Sequence, residues 1–327
     1  MLSVSVIIPT YNRHKQLLHT LKALTLQDYF MDLIEVIVVD DGSSSPLGGL
    51  VNQDWPFNIR VEVQNHQGGT NAKNNGARLA SGKVLFFLDD DIEVSPNYIS
   101  SLAELHNTYN DVIVSGNLIP TSTNKNSPFG RIYSQNNQQD KQKQRITNIN
   151  YLDILGGFFT IKKGHFFDLG ELSGVGSGWP NWEDVIFSYK AYQNGFEFLR
   201  CWYATGYHYD HSLSNISTCA RRWERASKSA VLLFHKYPDL QSQIPMLTDK
   251  TPIDWDLDSP SLVIRKGVRT VVSTPSITYL MEALASAFER WYPSPRLLRP
   301  LYRWITGSYM YRGFHQGLRS YGRFGSE

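Results

Sequence analysis

Cysteine is almost missing from these 327 residues: Cys201 and Cys219 stand alone, without the spacing of a disulfide framework or a thiolate metal site. A reducing cytoplasm is therefore the expected setting. No uninterrupted apolar run approaches the ~20 residues that a bilayer-spanning helix requires. Strand-forming residues begin at Val4, with no basic stretch and apolar segment of a signal peptide ahead of them. Charge is modest at 19% against 41% hydrophobic residues, which describes a folded chain of one large domain with an appendage, or of two domains. Acidic residues are scarce in one region. After Asp258 only Glu282, Glu289 and Glu327 are acidic, against Arg265, Lys266, Arg269, Arg290, Arg296, Arg299, Arg303, Arg312, Arg319 and Arg323. Behind a net charge of only +2, this imbalance points the tail at an anionic surface. A membrane fits better than a nucleic acid, because no nucleic-acid recognition motif accompanies the basic residues.

Carboxylates gather instead where apolar runs stop. Val84 to Leu88 reads as a strand buried on both faces, and it ends in Asp89, Asp90 and Asp91. Val4 to Ile8 is a first strand closed by Pro9, Thr10, Tyr11 and Asn12; Ile34 to Val39 is a second, ending in Asp40 and Asp41. Leu17, Leu18, Leu21 and Leu24 predict a helix up to about Gln27. Ile59 to Val63 is a third strand, Gly69 to Ala80 a helix, Ser95 to Tyr109 another, and Val112 to Val114 a further strand. This alternation predicts an α/β fold with a mostly parallel sheet and helices on both faces. In such sheets ligands bind beyond the carboxyl ends of the strands. Three adjacent carboxylates there repel one another, so a cation is expected among them, although a solvated acidic turn is equally compatible with the triplet.

Further on, Thr121 to Asn150 is polar, with amides crowded at Gln135 to Gln139, and reads as a mobile loop. Leu155 to Ile161 is strand-like, the glycines Gly174, Gly176 and Gly178 lead into Trp179-Pro180-Asn181-Trp182-Glu183-Asp184, and a helix follows to Gly195. Phe196 to Leu199 and Tyr203 to Tyr209 read as two short strands, with His208 in the second and His211 just beyond.

Five of these stretches, Val4 to Arg13, Val38 to Ser43, Gly69 to Gly76, Asp89-Asp90-Asp91 and Trp182-Glu183-Asp184, stand in the order and spacing of one family. The chain resembles the family 2 glycosyltransferases of GT-A fold over roughly residues 3 to 211. The resemblance implies an inverting transferase that moves a sugar from a nucleotide-diphosphate donor, a UDP-sugar by preference, to a hydroxyl of a glycan, polysaccharide or lipid-linked acceptor. It implies a donor site made by Pro9, Tyr11, Asp41, Lys73, Asp89 and Asp90, and Mn²⁺ or Mg²⁺ held by Asp91 with Asp89 and His208, His211 being the alternative. It implies an acceptor site at Trp179, Trp182 and Glu183, and Asp184 as general base. Each assignment has a plainer counterpart: Asp41 in an Asp-Gly turn, Lys73 as a solvated helix cation, Asp184 as a helix N-cap, the tryptophans as core.

The implied organisation is a catalytic domain over 1–215, with a nucleotide-sugar half to about 115 and an acceptor half beyond it, then a helical extension over 216–327. Arg221-Arg222-Trp223 partly matches the signature of processive members, but Cys219 replaces its glutamine. Leu280, Leu284, Phe288 and Trp291 share a helical face, and Arg296 to Ile305 mixes arginine with large apolar residues, as an interfacial helix does. The expected location is the cytoplasm, peripherally at the inner face of the cell membrane. The competing functions are a non-catalytic nucleotide-sugar or glycan-binding protein, and a nucleotidyltransferase, which would need a Gly-rich, Arg-containing loop where Pro9 to Arg13 stands.

Overall fold

A computed structural model describes residues 1–327 apart from positions 46, 52, 123, 125, 135–144, 177–180 and 323–327. Its strands are β1 (Val4–Thr10), β2 (Ile34–Asp40), β3 (Asn58–Val63), β4 (Val84–Leu88), β5 (Ile92–Val94), β6 (Val112–Ser122), β7 (Ile146–Asn148), β8 (Phe158–Lys162) and β9 (Glu197–Asp210). They form one nine-stranded sheet in the order β3-β2-β1-β4-β8-β6-β9-β5, with β7 also on β9. Strands β1 to β4 pair in parallel, whereas β8 runs antiparallel to β4 and β5 antiparallel to β9. The parallel pairing lies in the first half of the sheet, and antiparallel strands complete the second.

Helices cover both faces of the parallel half because its central strands, β1, β2 and β4, are buried along almost their whole length. Val4, Val6 and Ile8 share a core with Leu17, Leu21 and Leu24 of α1 (His14–Leu24). On the other face α2 (Gly69–Leu79) comes so close that a methyl on Gly76 would overlap Ile7 and press on Val39, which is why glycine stands there. The helix α3 (Tyr98–Thr108) adds Tyr98, Ile99 and Leu102 to the first core, and α4 (Glu183–Gln193) places Phe187 against Phe159 and Phe166.

Two expectations are corrected. The two segments belong to a single strand, β9 (Glu197–Asp210), because Arg200 and Cys201 pair with Thr147 and Ile146 of β7, a partner that the local pattern does not reveal. The polar stretch 121–150 holds a helix, Pro128–Ser134, as well as β7. Phe129 and Ile132 anchor that helix by burial among residues far along the chain. The amides at 135–139 lie outside the described residues.

The chain divides into two compact units. The first comprises Met1–Pro120, Gln138–Gly174 and Glu183–Tyr209. The second comprises Thr121–Asn137, Val175–Trp182 and Asp210–Glu327, and is mainly helical, with α5 (Ile216–Lys236), α6 (Pro260–Val272), α7 (Pro275–Trp291) and α8 (Pro295–Tyr321). Its core joins Phe129, Leu213 and Ala220 to Leu298, Tyr302 and Ile305. Among the described residues no helix is long and apolar enough to cross a membrane.

Candidate functional site

Parallel pairing brings the carboxyl ends of β1, β2 and β4 to one edge: Thr10 sits opposite Asp40, and the amide of Asp41 donates to the carbonyl of Thr10 at 2.9 Å. At that edge Asp41 is buried with its carboxylate fully engaged. Oδ1 accepts from the amide of Gln67 (2.8 Å) and from Gln64 Nε2 (2.7 Å), Oδ2 accepts from the amide of Gly68 (2.8 Å), and His66 Nδ1 lies 2.9 Å from Oδ2. These contacts fill the roughly four acceptor positions of a carboxylate. In this state Asp41 shapes the 64–68 loop. Tyr11 stacks on His66 at 4.4 Å with its ring exposed, and Pro9 of β1 pairs with Val39 of β2. His66 belongs to this cluster by geometry alone; no motif in the sequence marks it.

The acidic triplet is split three ways. Asp90 points inward, accepting from Thr10 Oγ1 at 2.7 Å and Arg13 Nη1 at 3.0 Å. Burial, only partly opposed by Arg13 and Thr10, pushes its pKa up to about 6. Asp91 accepts from the same Arg13 Nη1 at 3.0 Å through Oδ2. Burial disfavours the charge on Arg13, but Asp90 and Asp91 outweigh that and hold its pKa above the ordinary value. Part of the counter-charge that the triplet demands is thus supplied by a residue that sequence reasoning left out. Asp89 turns the other way, its Oδ1 lying 3.5 Å from Lys73 Nζ.

Asp91 Oδ1 is the odd atom. It is buried with no hydrogen bond aligned on it, although Nε2 of His208 lies 3.2 Å away. The two are held together because β5 and β9 pair with Ile92 opposite His208, while the amide of Tyr209 donates to the carbonyl of Asp91 at 2.9 Å. A buried carboxylate oxygen without a hydrogen bond, beside an imidazole nitrogen, is a donor set that suits a divalent cation. Among the described residues no three His, Cys, Asp or Glu side chains gather as a metal site. The trio of Asp89, Asp91 and His208 therefore does not close, and His211 lies in the second unit.

Lys73 is buried, not solvated, and it links the triplet to the other end of the site. Its Nζ lies 3.5 Å from Asp89 and 3.8 Å from Oε1 of Glu183. Burial alone would lower its pKa; the fields of Asp89, Glu183 and Asp184 reverse that and raise it. Asp184 stands in the first turn of α4, its Oδ1 accepting from the amide of Val185 at 2.9 Å and its Oδ2 facing the amide of Gly156 at 3.4 Å. Burial raises the pKa of Asp184 against the pull of those amides and Lys73, and burial likewise raises that of Glu183 against Lys73. A carboxylate held this way is suited to taking up a proton.

The glycines before β8 make this arrangement possible. A methyl on Gly157 would overlap the Asp89 carboxyl group, and one on Gly156 would lie 3.2 Å from Cβ of Asp184. Sequence reasoning passed over both, and the doublet itself was the only available signal. Gly157→Ala is expected to drive Asp89 out of place, lowering kcat/KM by on the order of 10²-fold through raised KM for the donor, while the melting temperature stays near wild type. Steady-state kinetics with a thermal melt checks this; unchanged kinetics would remove Asp89 from the donor site.

Of the acceptor residues, Trp179 lies outside the described residues. Trp182 belongs to the second unit, has a positive φ of 60°, and donates its indole N–H to the carbonyl of Ala226 at 2.9 Å.

The sequence profile of glycosyl transferase family 2 matches residues 5–170, half of the chain. A curated relative, GalNAc(5)-diNAcBac-PP-undecaprenol beta-1,3-glucosyltransferase of Campylobacter jejuni, is 40% identical over 111 residues, 33% of this chain and 35% of its own length. The chain covers only about a quarter to a third of the first curated relatives it matches. Among solved structures, a mannosyltransferase from Pyrobaculum calidifontis in complex with GDP-Man and Mn²⁺ superposes with a TM-score of 0.61 at 16% identity, covering 98% of this chain and 88% of that one. GalNAc-T7 with UDP, GalNAc and Mn²⁺ gives 0.51 at 19% identity over 90% of this chain and 58% of that one. At such identities these structures establish the fold, GT-A, with a helical C-terminal region.

Proposed function

The chain belongs to glycosyl transferase family 2, and on that premise we propose that it transfers a sugar with inversion from a nucleotide-diphosphate donor to an acceptor hydroxyl in glycan or glycolipid assembly. The observation that carries the reading is Lys73, buried between Asp89 on the donor side and the Glu183–Asp184 pair. Tyr11 and His66 offer stacked rings to a nucleotide base, and Pro9 and Asp41 border them. Asp89 and Lys73 position the donor, and Asp90 holds Arg13 beside them. Asp184 removes the proton from the acceptor hydroxyl as its oxygen attacks the anomeric carbon from the face opposite the departing diphosphate. Glu183, next to Asp184 in α4, borders the acceptor.

Asp91 and His208 would hold a divalent cation, and Mn²⁺ in two neighbouring structures supports that choice. When bound, the cation stabilises charge developing on the diphosphate. UDP is our preferred nucleotide, on the strength of GalNAc-T7; GDP-Man in the mannosyltransferase is the competing precedent. The undecaprenol-linked substrate named for the Campylobacter relative, with the basic C-terminal helices, supports a lipid-linked acceptor and a peripheral position at the membrane's inner face.

Calorimetric titration with UDP, GDP and dTDP, each with and without Mn²⁺, tests the reading. Metal-dependent binding of UDP alone is the expected result. Binding without turnover on any sugar donor would favour a non-catalytic nucleotide-sugar-binding protein, and no binding at all would overturn the donor site.

A further inference from the structure

One helix of the second unit is built inside out. In α6 two of the three cations turn inward: Lys266 is buried and donates to the carbonyl of Pro252 at 2.8 Å and to Asp258 Oδ2 at 2.5 Å. Arg269 donates to Asp249 Oδ2 at 3.3 and 3.2 Å and lies over the ring of Trp304 at 4.8 Å. While Leu262, Val263 and Val272 are half-buried, three apolar residues of the same helix, Ile264, Val268 and Val271, face solvent, Ile264 with 67% of its surface exposed. Their i, i+4, i+7 spacing reads in the sequence as an ordinary core-facing stripe. Only the position of Lys266 and Arg269 shows that the stripe points the other way.

The next helix repeats the pattern from a different cause. In α7, Ala285, Met281 and Phe288 pack on Leu298 and Tyr302, so its core face is already used. Leu280, Leu284 and Trp291 form a second apolar face that is left exposed, Trp291 at 77%. A helix apolar all round belongs in an interior, and contiguous exposed apolar surface marks a contact site.

Charge identifies what makes the contact. Arg265, Arg290, Arg296 and Arg303 are exposed on or beside these helices. The two carboxylates of α7 are withdrawn, Glu282 accepting from the hydroxyl of Tyr309 at 2.7 Å and Glu289 from that of Tyr302 at 2.6 Å. The two outward faces are thus apolar, aromatic and bordered by arginine, and both carboxylates of α7 are bonded inward. A second copy of the same face would bring like charges together, whereas anionic head groups complement them. We propose that the outward faces of α6 and α7 dock on an anionic lipid bilayer, with Ile264, Val268, Leu280, Leu284 and Trp291 entering the head-group boundary. The proposal rests on the peripheral-membrane reading above and assigns the surface that carries it.

Co-sedimentation of the full chain with phosphatidylcholine vesicles, with and without phosphatidylglycerol, tests the assignment. The wild type is expected to bind only the anionic vesicles, less strongly as salt rises, and Ile264→Glu with Val268→Glu to lower partitioning by on the order of 10²-fold. Unchanged nucleotide binding by the double variant establishes that it is folded and keeps the donor site separate from this test. Wild-type binding that the substitutions leave intact would overturn this surface and spare the membrane reading. No wild-type binding would overturn both. Self-association in light scattering that the double variant abolishes would give the face to a second copy and likewise overturn the proposal.

Discussion

Asp184→Asn is expected to lower turnover by about 10²–10⁴-fold, the range associated with a general base, while donor affinity stays within a factor of about two. The amide has the size of the carboxylate and can still accept from the amide of Val185, and Lys73 keeps Asp89 and Glu183 as partners. What is lost is the capacity to take a proton. Single-turnover rates and calorimetric donor affinity, measured on one preparation, separate the two effects; an equal loss in both would assign Asp184 to binding.

The same group sets the acid limb of activity. Burial raises its pKa above the ordinary 3.8, against the amides of Val185 and Gly156 and the charge of Lys73. A base works ionised, so kcat/KM should fall on acidification at a pH above that of an ordinary aspartate. Stability runs in the opposite sense. The folded state holds this proton more tightly than the unfolded chain, so the contribution is present below 3.8 and lost as pH rises through the folded value. A rate profile and a stability profile that move together would contradict the assignment.

Asp91→Ala is expected to abolish Mn²⁺-dependent nucleotide binding and with it turnover, by on the order of 10³-fold. It removes the buried oxygen that lies 3.2 Å from His208, yet Arg13 retains Asp90 as a partner at 3.0 Å. The fold should therefore persist, with circular dichroism close to wild type. Titration of Mn²⁺ alone provides a readout independent of turnover. A folded variant with undiminished metal-stimulated activity would make Asp91 only a partner of Arg13.

Much of the first unit was legible because its central strands are buried on both faces. Val84 to Leu88 carries five consecutive apolar residues and forms β4 over those same residues; β1 and β2 run only one or two residues beyond their expected ends. Where burial depends on a remote partner the local pattern failed, as in the middle of β9, which pairs with β7, and in the helix Pro128–Ser134, which is held by Phe129 and Ile132. The site was legible as residue types at strand ends and illegible as pairings. Nothing local tells Asp89 to meet Lys73 while its neighbours take Arg13, nor marks His66 or the Gly156–Gly157 doublet.

By itself the sequence determined the strand cores, the acidic edge and the family, since each is written in runs of neighbouring residues whose spacing fixes which side chains share a strand or a helix face. The tertiary structure alone decided which carboxylate keeps an unbonded oxygen, that Lys73 is buried, and that α6 shows its apolar side to solvent. Those outcomes depend on which surface each element meets, and that is set by chain segments tens to hundreds of residues away, through burial and charge that no local spacing records.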